Sequence, residues 1–160
     1  MLLCYSHLRP SPPPHRETLS GSFRPVTSWT LSLRGQRILI VEDQFLIAME
    51  LQESLEKAGA TVVGPVGRLD RALSKVEDDG LNAALRDVDL NGERCWPVAD
   101  LLSRAGVPFA FTTGFSANIV MPERFAGRPV LAKPYREGEI LSAIRKLLSL
   151  PEQVAEKPVG

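Results

Sequence analysis

The most informative part of the sequence is Arg37-Ile38-Leu39-Ile40-Val41, which is followed at once by Glu42-Asp43. A continuous run of apolar, mostly β-branched residues is typical of a strand that is buried on both faces of a parallel sheet. The two carboxylates come at the carboxyl end of this strand, where open α/β sheets bind ligands. The stretch therefore predicts a central strand with negative charge at its tip.

Downstream of this strand, helical and strand patterns alternate. Apolar residues recur at three- and four-residue spacing from Phe45 to Ala58, which predicts an amphipathic helix that ends at Gly59. Helical stripes follow at residues 69–76, 98–102 and 140–147, with at best a weak helix between Ser116 and Phe125. Short apolar runs predict four further strands, at Thr61-Val62-Val63, Ala83-Ala84-Leu85, Phe109-Ala110-Phe111-Thr112 and Val130-Leu131-Ala132. Five strands alternating with about five helices predict an α/β fold whose parallel sheet is covered on both faces.

Side chains that can bind ligands or take part in reactions follow four of the five strands. Because the carboxyl ends of parallel strands converge, we expect these groups to meet at one edge of the sheet. Carboxylates packed this closely repel one another unless a cation is present, and oxygen ligands suit Mg²⁺. A lysine and a threonine could then bind phosphoryl oxygens, with an aspartate as the nucleophile that accepts a phosphoryl group. The set comprises Glu42 and Asp43 after the first strand, Asp87 and Asp89 after the third, Thr113 after the fourth and Lys133 after the fifth.

Each of these residues also has an ordinary structural interpretation. Glu42 and Asp43 could cap the first helix, and Asp87 and Asp89 could be turn residues. Lys133 could be a solvated surface lysine, but the occurrence of all these groups in order at strand ends makes coincidence improbable. The region after residue 35 contains no histidine, which excludes Ser-His-Asp and Cys-His catalysis and a histidine-ligated zinc site. No glycine-rich loop follows the first strand, which argues against dinucleotide and P-loop binding.

The distribution of charge separates the chain into two unlike parts. The 160 residues carry 19 basic and 19 acidic side chains, but residues 1–34 have four Arg against one Glu and are rich in Pro and Ser. Proline at this density blocks helix and sheet. We therefore expect residues 1–35 to be a disordered extension, either native or a non-native start, residues 36–150 to fold, and residues 151–160 to be a flexible tail. Balanced charge and the lack of a long apolar stretch give no reason to expect nucleic acid or membrane as a partner, and two widely separated cysteines favour a cytoplasmic location.

Taken together, the motifs resemble those of a two-component receiver (CheY-like) domain, the phosphoacceptor module of response regulators. The resemblance covers about residues 36–150 and rests on Ile38-Leu39-Ile40-Val41-Glu42-Asp43, Leu85-Arg86-Asp87-Val88-Asp89-Leu90-Asn91-Gly92, Thr112-Thr113-Gly114 and Lys133-Pro134-Tyr135. It implies a doubly wound five-stranded parallel sheet in the flavodoxin-like order 2-1-3-4-5.

The resemblance also implies a role for each residue of the set. Asp87 would accept a phosphoryl group from a histidine kinase, and Thr113 and Lys133 would contact that group. Mg²⁺ would be held by the side chains of Glu42, Asp43 and Asp87 and by the backbone carbonyl of Asp89.

A narrower resemblance and two departures are visible. Residues 108–115 are similar to an alphaproteobacterial receiver subgroup with a Pro-Phe-x-Phe-Ala-Thr-Gly signature, whose members are often paired with sensor kinases of the HWE/HisKA2 type. Val130 stands where most receivers carry an aromatic switch residue, for which Phe115 or Tyr135 could compensate. Arg86 stands where a small or apolar residue is common, and we expect it to reach solvent or to pair with a carboxylate, because burial of its charge is costly.

The resemblance implies a switch and not an enzyme. Since only ten residues follow Leu150, we expect no output domain; the signal would pass by contact with a downstream protein, on the face of the fourth and fifth helices, from a monomer or weak dimer. One alternative is a haloacid-dehalogenase-like phosphatase, because Asp87-Val88-Asp89 also resembles the nucleophile motif of those enzymes. Here, however, the acidic pair comes first, and no cap domain is available. A second alternative is a degenerate receiver that acts only as a binding module.

Overall fold

The computed structural model of the chain describes residues 33–77, 80–114 and 120–150. A short 3-10 helix, Glu123–Phe125, precedes the last strand. The regular elements are, in chain order, β1 (Arg37–Val41), α1 (Phe45–Lys57), β2 (Thr61–Val66), α2 (Leu69–Glu77), β3 (Ala83–Asp87), β4 (Asp89–Leu90), β5 (Glu93–Arg94), α3 (Trp96–Arg104), β6 (Phe109–Thr113), β7 (Val130–Ala132) and α4 (Glu137–Leu147).

Five of the strands form one parallel sheet in the order β2-β1-β3-β6-β7. Counted among the strands of this sheet alone, the order is 2-1-3-4-5, so the predicted doubly wound, flavodoxin-like fold is confirmed. β1 lies between β2 and β3, and every residue of it after Arg37 is buried, as its apolar sequence predicts. The other two strands, β4 and β5, pair antiparallel as a small hairpin beyond the end of β3, which the sequence patterns did not predict.

Each face of the sheet carries its own hydrophobic core. β1 contributes to both, with Leu39 and Val41 in one core and Ile38 and Ile40 in the other, because successive side chains of a strand point to opposite faces. The first core packs α2 and α3 against the sheet and contains the aromatic side chains of β6. The second core is mainly aliphatic and packs α1 and α4. The two layers of helices therefore cover both faces of the sheet.

Three predictions concern segments that lie at the edge of the described residues or outside them. The weak helix predicted between Ser116 and Phe125 falls partly on residues 116–119, outside them, and the described remainder forms only the 3-10 turn. Leu33 is fully buried and its N–H donates to the Ala58 carbonyl at 2.9 Å, so the folded unit begins at least three residues before the predicted boundary at residue 36. Residues 1–32 of the predicted extension and the predicted tail, 151–160, lie outside the described residues. Among the described helices, none combines the length and apolar character that a membrane span requires.

Candidate functional site

The site lies at the carboxyl edge of the sheet, where strand pairing brings distant parts of the chain together. Glu42 directly follows β1, Asp87 is the last residue of β3 and Lys133 directly follows β7. The register places Val41 beside Arg86 and Asp87 beside Thr112, so each strand ends close to its neighbour. The convergence expected from the sequence is therefore present.

Three carboxylates and one ammonium form the centre of the site. Carboxylate oxygens of Glu42, Asp43 and Asp87 all lie within 4.8 Å of one another. The Lys133 Nζ lies 2.6 Å from Glu42 Oε2 and also donates a hydrogen bond to Asp87 Oδ2. Glu42, Asp87 and Lys133 are nearly buried, with 3%, 5% and 9% of their surface exposed, whereas Asp43 is half-buried. We call these four residues the acidic cluster.

Burial and pairing act against each other in the acidic cluster. Burial raises the pKa of Glu42, and the hydrogen bond from Lys133 opposes the rise. Burial also disfavours the Lys133 ammonium, but hydrogen bonds to Asp87 and Glu42 outweigh this effect and raise the Lys133 pKa. Lys133 is therefore a fixed cation at neutral pH, and it balances one of three carboxylates. The remaining negative charge on hard oxygen ligands fits Mg²⁺, which binds one or two carboxylates and several waters.

Backbone N–H groups of the surrounding loops orient the three carboxylates. Asp87 Oδ1 accepts from the Asp89 N–H at 3.1 Å, and Glu42 Oε1 accepts from the Gln44 N–H at 3.1 Å. Asp43 Oδ2 accepts from the Asn91 N–H at 3.1 Å. These bonds fix the rotamers of the carboxylates and leave other lone pairs available for a cation.

Two residues to which sequence analysis assigned no role support the site: Asn91, which belongs to a motif of the resemblance, and Gly67. Asn91 adopts a positive φ of 54° at the tip of the β4–β5 hairpin, and its Nδ2 donates to the Gly67 carbonyl at 3.2 Å. The Asn91-Gly92 pair is a known hairpin signal and could have revealed this turn. A Cβ on Gly67 would lie 3.0 Å from Asp43 Cα, which is tighter than side chains usually approach a backbone, so glycine favours this close approach of the two loops. No signal in a single sequence identifies that preference.

Two predicted site residues lie near the acidic cluster without joining it. The Thr113 hydroxyl is bonded to the Gly114 carbonyl at 3.3 Å. The Asp89 side chain accepts from the Gly92 N–H at 2.7 Å and lies 3.7 Å from Arg94 Nη1, so it stabilises the hairpin. The predicted metal contact of the Asp89 backbone carbonyl, which does not involve the side chain, stays a prediction.

The prediction that Arg86 reaches solvent or pairs with a carboxylate is wrong. Its side chain is fully buried, and its Nη1 donates to the backbone carbonyl of Cys95. The guanidinium packs against aromatic rings, the nearest being Phe111 at 4.4 Å from the ring centroid. Cation–π attraction and one charge-assisted hydrogen bond replace the carboxylate that the sequence led us to expect.

Two of the three positions that the sequence linked to switching lie among the described residues. Val130, which stands at the usual aromatic position, is half exposed at the start of β7. Tyr135 is half-buried, and its hydroxyl is buried with no hydrogen-bond partner among the described residues. Burial raises the Tyr135 pKa, so the phenol stays neutral. Phe115 lies outside the described residues.

A doubly wound sheet with an acidic triad and a lysine at its carboxyl edge defines the class of receiver domains, and the chain belongs to the CheY-like receiver family of response regulators. The chain is 44% identical to SdrG from Sphingomonas melonis Fr1, over 73% of this chain and 98% of that one, with a TM-score of 0.65 between the structures. The receiver domain of PhyR from Erythrobacter litoralis is 24% identical, covers 76% of this chain and 98% of its own, and supports the fold with a TM-score of 0.64.

A longer relative is the phyllosphere-induced regulator PhyR of Methylorubrum extorquens, which is 30% identical over 115 residues, or 69% of this chain. The chain spans only 43% of the length of that protein. No model of a known protein family matches the sequence.

Proposed function

We propose that the chain accepts a phosphoryl group on Asp87 from a sensor histidine kinase, in a reaction that requires Mg²⁺, and passes the signal on by contact with a downstream protein. The observation that carries this proposal is the acidic cluster. In it, the nearly buried Asp87 contacts Lys133 and lies close to the carboxylates of Glu42 and Asp43. Membership of the receiver family supports it.

The chemical step is a transfer of a phosphoryl group between two nucleophiles. A carboxylate oxygen of Asp87 forms the new bond to phosphorus, while the bond from phosphorus to the histidine nitrogen of the kinase breaks and that nitrogen keeps the electron pair. Asp87 Oδ1 is held by the Asp89 N–H and Oδ2 by Lys133, which orients the carboxylate before the reaction. When bound, Mg²⁺ would be held by Glu42, Asp43 and Asp87 and would neutralise charge on the phosphoryl oxygens.

Lys133 and Thr113 serve the phosphorylated state in this proposal. The Lys133 ammonium already contacts Asp87 and can follow the new charge onto a phosphoryl oxygen. The Thr113 hydroxyl donates to the Gly114 carbonyl at 3.3 Å, and in the phosphorylated state it would donate to a phosphoryl oxygen instead. In this proposal, the new hydrogen bond would bias the end of β6 and the neighbouring strand β7 toward the phosphorylated arrangement.

The partners follow from the same proposal. The kinase is of the HWE/HisKA2 type if residues 108–115 mark the subgroup that they resemble. The protein acts as a stoichiometric acceptor and not as an enzyme with a separate substrate, as a monomer or weak dimer. In this proposal the protein is located in the cytoplasm, because that reducing compartment keeps thiols such as that of Cys95 free.

The test is transfer from acetyl phosphate to the full chain with Mg²⁺, followed by intact-mass measurement. We expect one hydroxylamine-sensitive phosphoryl group on the wild-type chain and none on Asp87→Asn. Asp89→Asn is the matched control: it removes a carboxylate two residues away whose side chain serves the hairpin, so it should still be labelled. Absence of labelling on the wild-type chain would refute the proposal. Rapid turnover of small phosphomonoesters would instead favour the phosphatase alternative.

A further inference from the structure

Arg86 is a fully buried cation located directly before the proposed phosphoacceptor. Three aromatic rings surround its guanidinium, with centroids at 4.4 Å for Phe111, 5.7 Å for Trp96 and 5.8 Å for Phe109. Its Nη1 donates to the Cys95 carbonyl, while its Nε and Nη2 have no hydrogen-bond partner among the described residues. The proposed phosphoryl transfer does not use this residue.

Filling space does not explain an arginine at this position. An unbranched apolar side chain such as methionine fills a comparable gap between aromatic rings and carries no desolvation cost. The delocalised guanidinium of arginine keeps its proton in proteins even when it is buried. The guanidinium therefore remains charged at neutral pH. Its positive charge is the property that a packing residue would lack.

The acidic cluster contains Asp87, the neighbour of Arg86 in β3. Three carboxylates face a single ammonium there, so the cluster carries excess negative charge. Arg86 and Asp87 are neighbours in β3, and both are buried, so little water screens the space between them. Successive side chains of a strand point to opposite faces, which places the guanidinium on the order of 10 Å from the cluster.

We propose that Arg86 is a built-in counter-charge that weakens the binding of divalent cations to the acidic cluster and so sets the Mg²⁺ concentration at which the site fills. The biological meaning of this inference rests on the proposed function, whereas its measured effect concerns the binding of Mg²⁺ alone. At a separation of about 10 Å, screening as strong as that of bulk water still leaves about a fourfold effect on the affinity for a divalent ion. The less polarisable interior of the protein makes the effect larger.

The experiment is a calorimetric titration of the full chain with Mg²⁺ at low ionic strength, where screening by salt is weak. We expect Arg86→Met to bind Mg²⁺ at least about fourfold more tightly than the wild-type chain. Arg86→Lys keeps the charge and should stay within about twofold of it. The matched control is Arg128→Met, which removes the same charge from a half-exposed guanidinium 4.7 Å from the Phe109 ring and should leave the affinity within about twofold.

The direction of the change separates an electrostatic role from a structural one. Damage to the site weakens Mg²⁺ binding, whereas loss of a counter-charge strengthens it. Unchanged or weaker binding by a folded Arg86→Met chain would overturn the inference. If that variant does not fold, Arg86→Gln undergoes the same titration. If neither neutral variant folds while Arg86→Lys does, the charge serves the fold, and the inference is also overturned. A wild-type chain that binds no Mg²⁺ defeats the proposed function as well, while a wild-type chain that binds Mg²⁺ and is phosphorylated isolates any failure to Arg86.

Discussion

Replacement of Lys133 by methionine should destabilise the fold strongly in the absence of a divalent cation. The Lys133 side chain is 8% exposed and holds two carboxylates, of which that of Glu42 is fully buried and that of Asp87 is 7% exposed. Lys133→Met keeps the length of the side chain and removes the ammonium. Glu42 and Asp87 then face each other with no cation between them.

The expected magnitude follows from the burial of the three groups. Breaking a buried ion pair from one side costs about 3–5 kcal/mol, because the remaining charge stays desolvated without compensation. Asp43 is half-buried, and backbone N–H groups still contact Glu42 and Asp87, so we expect the lower end, about 3 kcal/mol. Mg²⁺ supplies positive charge at the same place, and a ligand that binds only the native state stabilises it by mass action. The variant should therefore gain more stability from Mg²⁺ than the wild-type chain does.

The assay is equilibrium chemical denaturation followed by circular dichroism, once with EDTA and once with saturating Mg²⁺. Lys57→Met is the matched control, because the Lys57 ammonium lies 2.8 Å from Glu53 in a pair that is exposed on both sides. Its loss should leave the free energy of unfolding unchanged within error, since water already solvates both groups. A loss of less than about 1 kcal/mol for Lys133→Met in EDTA, or equal gains from Mg²⁺ in both chains, would refute the reasoning.

Two further predictions concern the loop beside the acidic cluster and the thiol beneath it. Gly67→Ala should lower the free energy of unfolding by about 1–3 kcal/mol and weaken Mg²⁺ binding, because its Cβ would press on the Asp43 backbone at 3.0 Å. The control is Gly138→Ala, whose Cβ would meet nothing within 4 Å and should cost no stability. Equal effects of the two substitutions would contradict the argument. Burial raises the pKa of Cys95 to about 11, so in a Cys4→Ser chain a thiol reagent at pH 8 should react only as fast as the protein unfolds, a limit that fast labelling of the native chain would disprove.

Local sequence pattern was sufficient to predict five parallel strands and the edge where the candidate residues meet, whereas the strand order was implied by the family resemblance. A strand buried on both faces must be apolar throughout, which makes β1 visible in a single sequence. Chain order then fixes which residues reach the carboxyl edge, so Glu42, Asp87 and Lys133 could be assigned together before any distance was known. Two-residue strands such as β4 and β5 carry no periodicity of their own, and for that reason the hairpin was missed.

The environment of Arg86 could not be predicted in the same way. It depends on Trp96 in α3 and on two phenylalanines of β6, which reach the guanidinium only after the sheet and the helix have packed. Sequence reasoning correctly recognised that a charge at this position needs compensation but offered only solvent or a carboxylate. The protein provides aromatic faces and a backbone carbonyl, which compensate the charge without neutralising it.

Lys133 in the acidic cluster and Arg86 on the other side of β3 are held in different ways and therefore act differently. Lys133 sits on a flexible four-carbon side chain and touches the carboxylates directly, so it can move aside when a metal or a phosphoryl group arrives. Arg86 is held by three rings and a carbonyl on the far side of β3 and has nowhere to move. Its charge therefore stays in the same place in both states, where it attracts the carboxylates of the empty site and repels a bound cation. Removal of Lys133 should be felt mainly in stability without metal, and removal of Arg86 mainly in the affinity for metal.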